Sequence, residues 1–134
     1  MSAPKHLHKL FLGLPGLFIA GTGLMFLLHP AGAADKLQLV AATSEGLSNL
    51  RGLAGGPLLA VGTSLLLAAA TDKLEYARPG AIFLLVLLGA RVLSYVVDGP
   101  TDAIGLFLAV PTMTFASMVV GHKLLDRAQV VSQR

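Results

Sequence analysis

The stretch Gly89-Ala-Arg-Val-Leu-Ser-Tyr-Val-Val-Asp-Gly-Pro100 decides how the chain is read. It closes an apolar run that opens near Gly80, sets Arg91 inside that run, and ends at an acidic turn, Asp98-Gly99-Pro100. Residues 80–97 rise about 27 Å as a helix, close to the roughly 30 Å of hydrocarbon in a bilayer. A cation near the centre of such a helix costs about 2.5–3.5 kcal/mol on insertion scales, so Arg91 needs a partner or a purpose.

Working outward, the rest of the chain repeats this apolar character. Leu10 to Leu28 is a 19-residue run without a charge, residues 50–71 carry only Arg51, and residues 102–121 carry only Asp102. Across 134 residues, 54% are hydrophobic and 13% charged, against roughly 25% charged in ordinary globular domains. The mean hydropathy is +0.75. The expected architecture is a single all-α domain over residues 1–134, a bundle of four transmembrane helices near 10–28, 50–71, 80–97 and 102–121. A basic start, an apolar run and Ala31-Gly32-Ala33 also resemble a cleaved signal peptide. Signal cores run about 7–15 residues, so the longer first run is expected to stay as a helix.

Residues 29–49 form the longest connection, broken by Pro30 and Gly32, with Thr43-Ser44-Glu45-Gly46 and Ser48-Asn49 as N-cap chemistry for the second helix. Pro57 is expected to loosen that helix after Gly55-Gly56. The loop 72–78 is short and charged, and Pro79 suits the first turn of the third helix. The turn 98–102 is so brief that helices three and four must be antiparallel neighbours, with Thr101 or Asp102 as cap. Pro111 interrupts the fourth helix amid Thr112, Thr114 and Ser117, whose hydroxyls can satisfy freed carbonyls.

Basic residues set the expected topology. With both termini cytoplasmic, Lys5, Lys9, Lys73, Arg78, Lys123, Arg127 and Arg134, seven of the ten, share that side, as the positive-inside rule requires. Asp35, Glu45, Asp98 and Asp102 fall on the other.

Two groups of residues stand out. Gly52, Gly56, Ala60, Ser64 and Ala68 recur every four residues, a small-residue seam suited to close helix packing, internal or against a partner. Arg91, Ser94, Tyr95 and Asp98 share one helix face. With Arg51 at the same membrane side, they are expected to form a polar patch near the outer face. That patch reads as a structural clamp pairing Arg91 with Asp98, or as a site for a small anion or lipid headgroup built on Arg51 and Arg91. A proton or substrate pathway is opposed by the lack of a carboxylate deep within any span.

Other chemistries find little support. The chain has no cysteine, which excludes disulfides, thiolate catalysis and thiolate-held metals. The pI is about 9.6, but no basic stripe with stacking aromatics accompanies it, so nucleic acid is not an expected partner. His6, His8 and His122 are expected to be loose and solvated rather than metal-bound. Serines and threonines lack a neighbouring base, and no phosphate loop or dinucleotide fingerprint occurs. No catalytic residue, cofactor or metal is expected, and the chain is not expected to be an enzyme.

Leu12-Gly-Leu-Pro-Gly16, Pro30, Asn49-Leu-Arg-Gly-Leu-Ala-Gly-Gly56, and Arg91 with Asp98-Gly-Pro100 resemble a bacterial four-helix membrane family, domain-of-unknown-function family 4345, broadly DoxX-like. The resemblance covers nearly the whole chain and implies a multi-pass protein of the bacterial inner membrane, without an activity to carry over. Many members carry an acidic residue in the last helix, where Pro111-Thr-Met-Thr-Phe115 has none. The expected role is an accessory or scaffolding subunit, partnered by membrane lipids and by a protein partner or copies of itself. The alternative is a carrier or binder of a small anion or lipid headgroup through Arg51 and Arg91.

Overall fold

The computed structural model describes residues 7–37, 39–40, 43–99 and 104–132. Helix α1 spans Leu7–Leu28 and is followed after His29 by a short α2, Pro30–Lys36. Helix α3, Ser44–Asn49, runs through a π-helical turn, Leu50–Gly55, into α4, Gly56–Thr71. A 3-10 turn, Leu74–Ala77, leads to α5, Arg78–Asp98, and α6 covers Ile104–Ser132. Among the described residues, Leu7–Leu28, Ser44–Thr71 and Leu74–Asp98 are long and apolar enough to cross a membrane.

The helices depart from the sequence expectation mainly at their ends. The second span starts at Ser44 rather than near 50, because Thr43 acts as the cap: its Oγ1 accepts the Gly46 N–H at 3.1 Å. Ser48 and Asn49, expected as caps, lie inside the helix. Pro30 starts α2 instead of only ending α1, since proline is well placed in a first turn. Pro79 does the same for α5. The fourth helix continues through the polar tail to Ser132, whereas its expected start and the residues Thr101 and Asp102 lie outside the described residues.

The disturbance expected at Pro57 is a π turn. Gly56 donates its N–H to the Arg51 carbonyl five residues back, and Pro57 then has no N–H with which to resume the ladder. The turn is therefore widened where the proline interrupts it.

Packing is led by α1 against α4. A Cβ built on Gly62 would lie 2.6 Å from the Ala20 Cα, and one on Gly23 would lie 2.9 Å from the Gly55 carbonyl oxygen. These neighbours are backbone atoms that cannot swing aside, so only glycine allows the two helices this close. Gly16 faces the Gly62 carbonyl and Leu65 in the same way. The internal contact thus follows Gly55, Gly62 and Ala69, spaced by seven, and not the row 52, 56, 60, 64, 68. Of that row Ala68 is in the core, Gly56 and Ser64 are half-buried, and Gly52 and Ala60 are exposed. The Ser64 hydroxyl bonds the Val61 carbonyl of its own helix at 2.8 Å.

The core joins Leu12 and Ile19 of α1, Val61, Leu65, Ala68 and Ala69 of α4, Leu84 of α5 and Met118 of α6. It therefore reaches α5 only through its first half. Beyond Leu84, Val86, Val92, Leu93, Val96 and Val97 are all exposed.

A polar bond ties α6 to α1. Pro15 lies inside α1 and lacks the N–H that would bond the Phe11 carbonyl four residues back. Ser117 of α6 supplies the missing donor, its Oγ reaching the Phe11 oxygen at 2.9 Å. An unbonded carbonyl in hydrocarbon is costly, so this bond carries more weight than one in water. Ser117 thus serves α1, and not the helix broken by Pro111. Thr112 and Thr114 bond the carbonyls of Leu108 at 2.7 Å and Val110 at 2.8 Å within α6.

Two outcomes follow for the purified protein in detergent. Gly62→Ala should lower stability by about 1–3 kcal/mol, the usual cost of overpacking. Gly52→Ala should leave the melting temperature unchanged, since nothing lies within 4 Å of the added methyl. Ser117→Ala should destabilise by about 1–3 kcal/mol in the parent chain, and by much less in a Pro15→Ala background, where α1 supplies its own donor. Equal costs in both backgrounds would show that the two residues are not coupled.

Candidate functional site

Antiparallel α1 and α4 bring the start of one beside the end of the other, and there the polar groups gather. Helix α4 ends at Thr71, and Asp72 adopts the left-handed conformation, φ 58°, which aspartate tolerates better than most residues. Its carboxylate accepts a bond from His8 Nε2 at 2.8 Å on one oxygen and faces Lys9 Nζ at 3.4 Å on the other. His8 is 5% exposed. Burial of an imidazole needs a polar partner, and Asp72 provides it. The sequence expectation of a loose, solvated His8 is corrected here, and His6 lies outside the described residues.

The bond from His8 holds the Asp72 carboxyl below the ordinary carboxylate range, the charge of Lys9 adds to this, and partial burial opposes it. Among the described residues no three histidine or acidic groups lie close enough to hold a metal ion. The bonds from His8 and Lys9 to Asp72 form a clasp between two helix ends.

At the opposite ends of these helices Arg51 is turned toward α1. Its Nε donates to the Leu27 carbonyl at 3.1 Å, one of the terminal carbonyls of α1 that has no N–H partner in its own helix. A cation is favoured at a helix C-terminus, so Arg51 acts as a cap on α1. The π turn carrying it packs on α1, α2 and α3.

The remaining members of the expected patch lie on α5. Arg91 is half-buried, while Ser94, Tyr95 and Asp98 are exposed. Ser94 Oγ donates to Asp98 Oδ2 at 2.9 Å, one turn apart on the helix. Of the five residues, Arg51 is held by the end of α1, and Ser94 and Asp98 hold each other within α5. The partnership missed by sequence reasoning is His8 with Asp72. Its signal is in the sequence: His8 adjoins Lys9 at the start of one span, and Asp72 adjoins Lys73 just past the end of another, with both lysines on the same expected membrane side.

A family model described as Domain of unknown function (DUF4345) matches residues 7–121. The chain belongs to this family. No curated protein and no solved structure matches it. The matched segment begins at the first residue of α1, one before His8, and ends at Gly121 of α6, so both helix-end clusters fall within it.

A group with a lowered folded-state pKa stabilises the fold above its unfolded value, about 3.9 for aspartate, and loses that contribution as pH falls through the lower folded value. The melting temperature in detergent should therefore drop as pH is taken below about 4. Asp72→Asn should flatten that acid limb, while Asp72→Gly, which keeps the left-handed backbone but deletes the carboxylate, should lower stability at neutral pH. An acid limb unchanged in Asp72→Asn would contradict the clasp.

Proposed function

We propose that this member of the family is a non-enzymatic, four-span protein of a bacterial inner membrane with both termini cytoplasmic. It serves as an accessory or scaffolding subunit that assembles with copies of itself. Support for a fourth span comes from α6, whose residues 104–121 contain no charge. The basic residues grouped near Lys9, Lys73, Arg78 and Lys123 support the orientation.

The observation that carries the assembly role is the state of α5. It is apolar, yet 11% of its apolar window is buried inside the molecule, against 28% for α1 and 33% for Ser44–Thr71. Its exposed surface also bears the Ser94–Asp98 pair and, on another side of the helix, Gly89, which has nothing within 4 Å of where a side chain would begin. Polar groups and small residues on an outer helix face favour contact with another transmembrane helix over contact with lipid tails. Gly52 and Ala60 are exposed in the same way on the α4 side. Binding of a small anion or lipid headgroup through Arg51 and Arg91 stands as the alternative, although the bond from Arg51 to Leu27 favours a capping role for that arginine.

Native mass spectrometry from mild detergent tests the assembly role. The parent chain should give an oligomer of fixed copy number, and Gly89→Leu or Ala60→Leu should shift it toward single chains without lowering the melting temperature. A parent chain that is monomeric under every mild condition would overturn the proposal.

A further inference from the structure

A cavity of about 300 Å³ lies between the 3-10 turn, the first turns of α5 and the later half of α6. Ala81, Phe115 and Met118 contribute to its apolar wall, and Arg78, His122 and Lys123 to its lining. No carboxylate is among the described residues that line it. Its volume is near the lower end of the range for small-molecule sites, about 300–1,000 Å³.

The location of the cations matters as much as their number. Arg78 opens α5, and within α6 His122 is the first polar side chain after the uncharged stretch Ala116-Ser-Met-Val-Val-Gly121 with its single serine. The cavity therefore sits where helices leave the apolar layer. At this same end Lys9 is drawn to Asp72, whereas Arg78 and Lys123 have no acidic partner within ion-pair distance among the described residues. Glu75 lines an adjoining recess that Arg78 shares, and forms no ion pair with it. Asp126, one turn beyond His122, is exposed and outside the lining.

An apolar wall under an unneutralised cationic rim at the membrane face is complementary to one kind of occupant. We propose that this cavity is a site for an anionic phospholipid of the adjacent leaflet. Its phosphate lies between Arg78 and Lys123, and the first part of one acyl chain covers Ala81, Phe115 and Met118. Arginine offers phosphate a planar pair of donors, lysine adds a point charge, and basic pockets between transmembrane helices are suited to such headgroups. The site is distinct from Arg51 and Arg91 and does not depend on the assembly role.

The test is native mass spectrometry of the full chain exchanged against equal amounts of phosphatidylglycerol and phosphatidylcholine. One phosphatidylglycerol should be retained per chain in preference to phosphatidylcholine. Each cation near an anionic group contributes about fivefold, so Arg78→Gln with Lys123→Gln should lower that preference by about 30-fold. Both residues are exposed, and the melting temperature, measured alongside, should not move. Ala81→Trp, which fills the cavity and keeps both cations, should also expel the lipid. Equal retention of the two lipids, retention unchanged in the double variant, or displacement of the lipid by inorganic phosphate alone would overturn the proposal.

Discussion

Everything else in the molecule depends on how closely the backbones of α1 and α4 approach. Inside a membrane, lipid tails are as apolar as leucine, so helices gain little from burying apolar surface against one another. Close van der Waals contact and satisfied polar groups must supply the preference instead. Gly16 and Gly23 on one helix and Gly55 and Gly62 on the other remove the Cβ atoms that would hold the axes apart. Once that contact is set, the levels of the helix ends are set too, and the polar bonds at both ends of the pair become geometrically available.

Those bonds share a logic. Each takes a backbone or side-chain group that its own helix cannot satisfy and gives it a partner from another segment. Pro15 frees the Phe11 carbonyl, and Ser117 of α6 meets it. The end of α1 leaves the Leu27 carbonyl, and Arg51 of the π turn meets it. Burial leaves His8 in need of an acceptor, and Asp72 past the end of α4 provides one. Helix α1 is thereby tied to three other parts of the chain, whereas α5 shares in the core only through its first half, up to Leu87.

Much of this was legible in the residues. Apolar runs located α1 and α5 to within a few residues, Pro79 marked a helix start, and Pro57 marked the place where the second span is disturbed. The phase of the glycine contact was not, because the second span carries two small-residue rows. The row at every fourth residue is the more regular, but only the row of Gly55, Gly62 and Ala69 matches the spacing of seven between Gly16 and Gly23 on α1. Which row turns inward is a property of the pair of helices, not of either alone. The cap that Arg51 places on the end of α1 was not legible either, because the π turn that carries it follows from Pro57 and long-range packing together. His8 looked like surface chain for a similar reason: its burial depends on the end of a helix 64 residues away.

The absence of native cysteine makes the central contact directly measurable by cross-linking in membranes. A Cβ on Gly13 would lie 3.9 Å from the Cβ of Ala69, within the separation a disulfide requires. Chains carrying Gly13→Cys with Ala69→Cys should close an intramolecular disulfide rapidly and almost completely under mild oxidation, seen as a shift in electrophoretic mobility that reductant reverses. A pair placed at Gly21 and Gly52, neither of which has a neighbour within 4 Å, should not close within one chain. Failure of the first pair to close, or closure of both pairs at equal rates, would contradict the α1–α4 contact on which the rest of the structure depends.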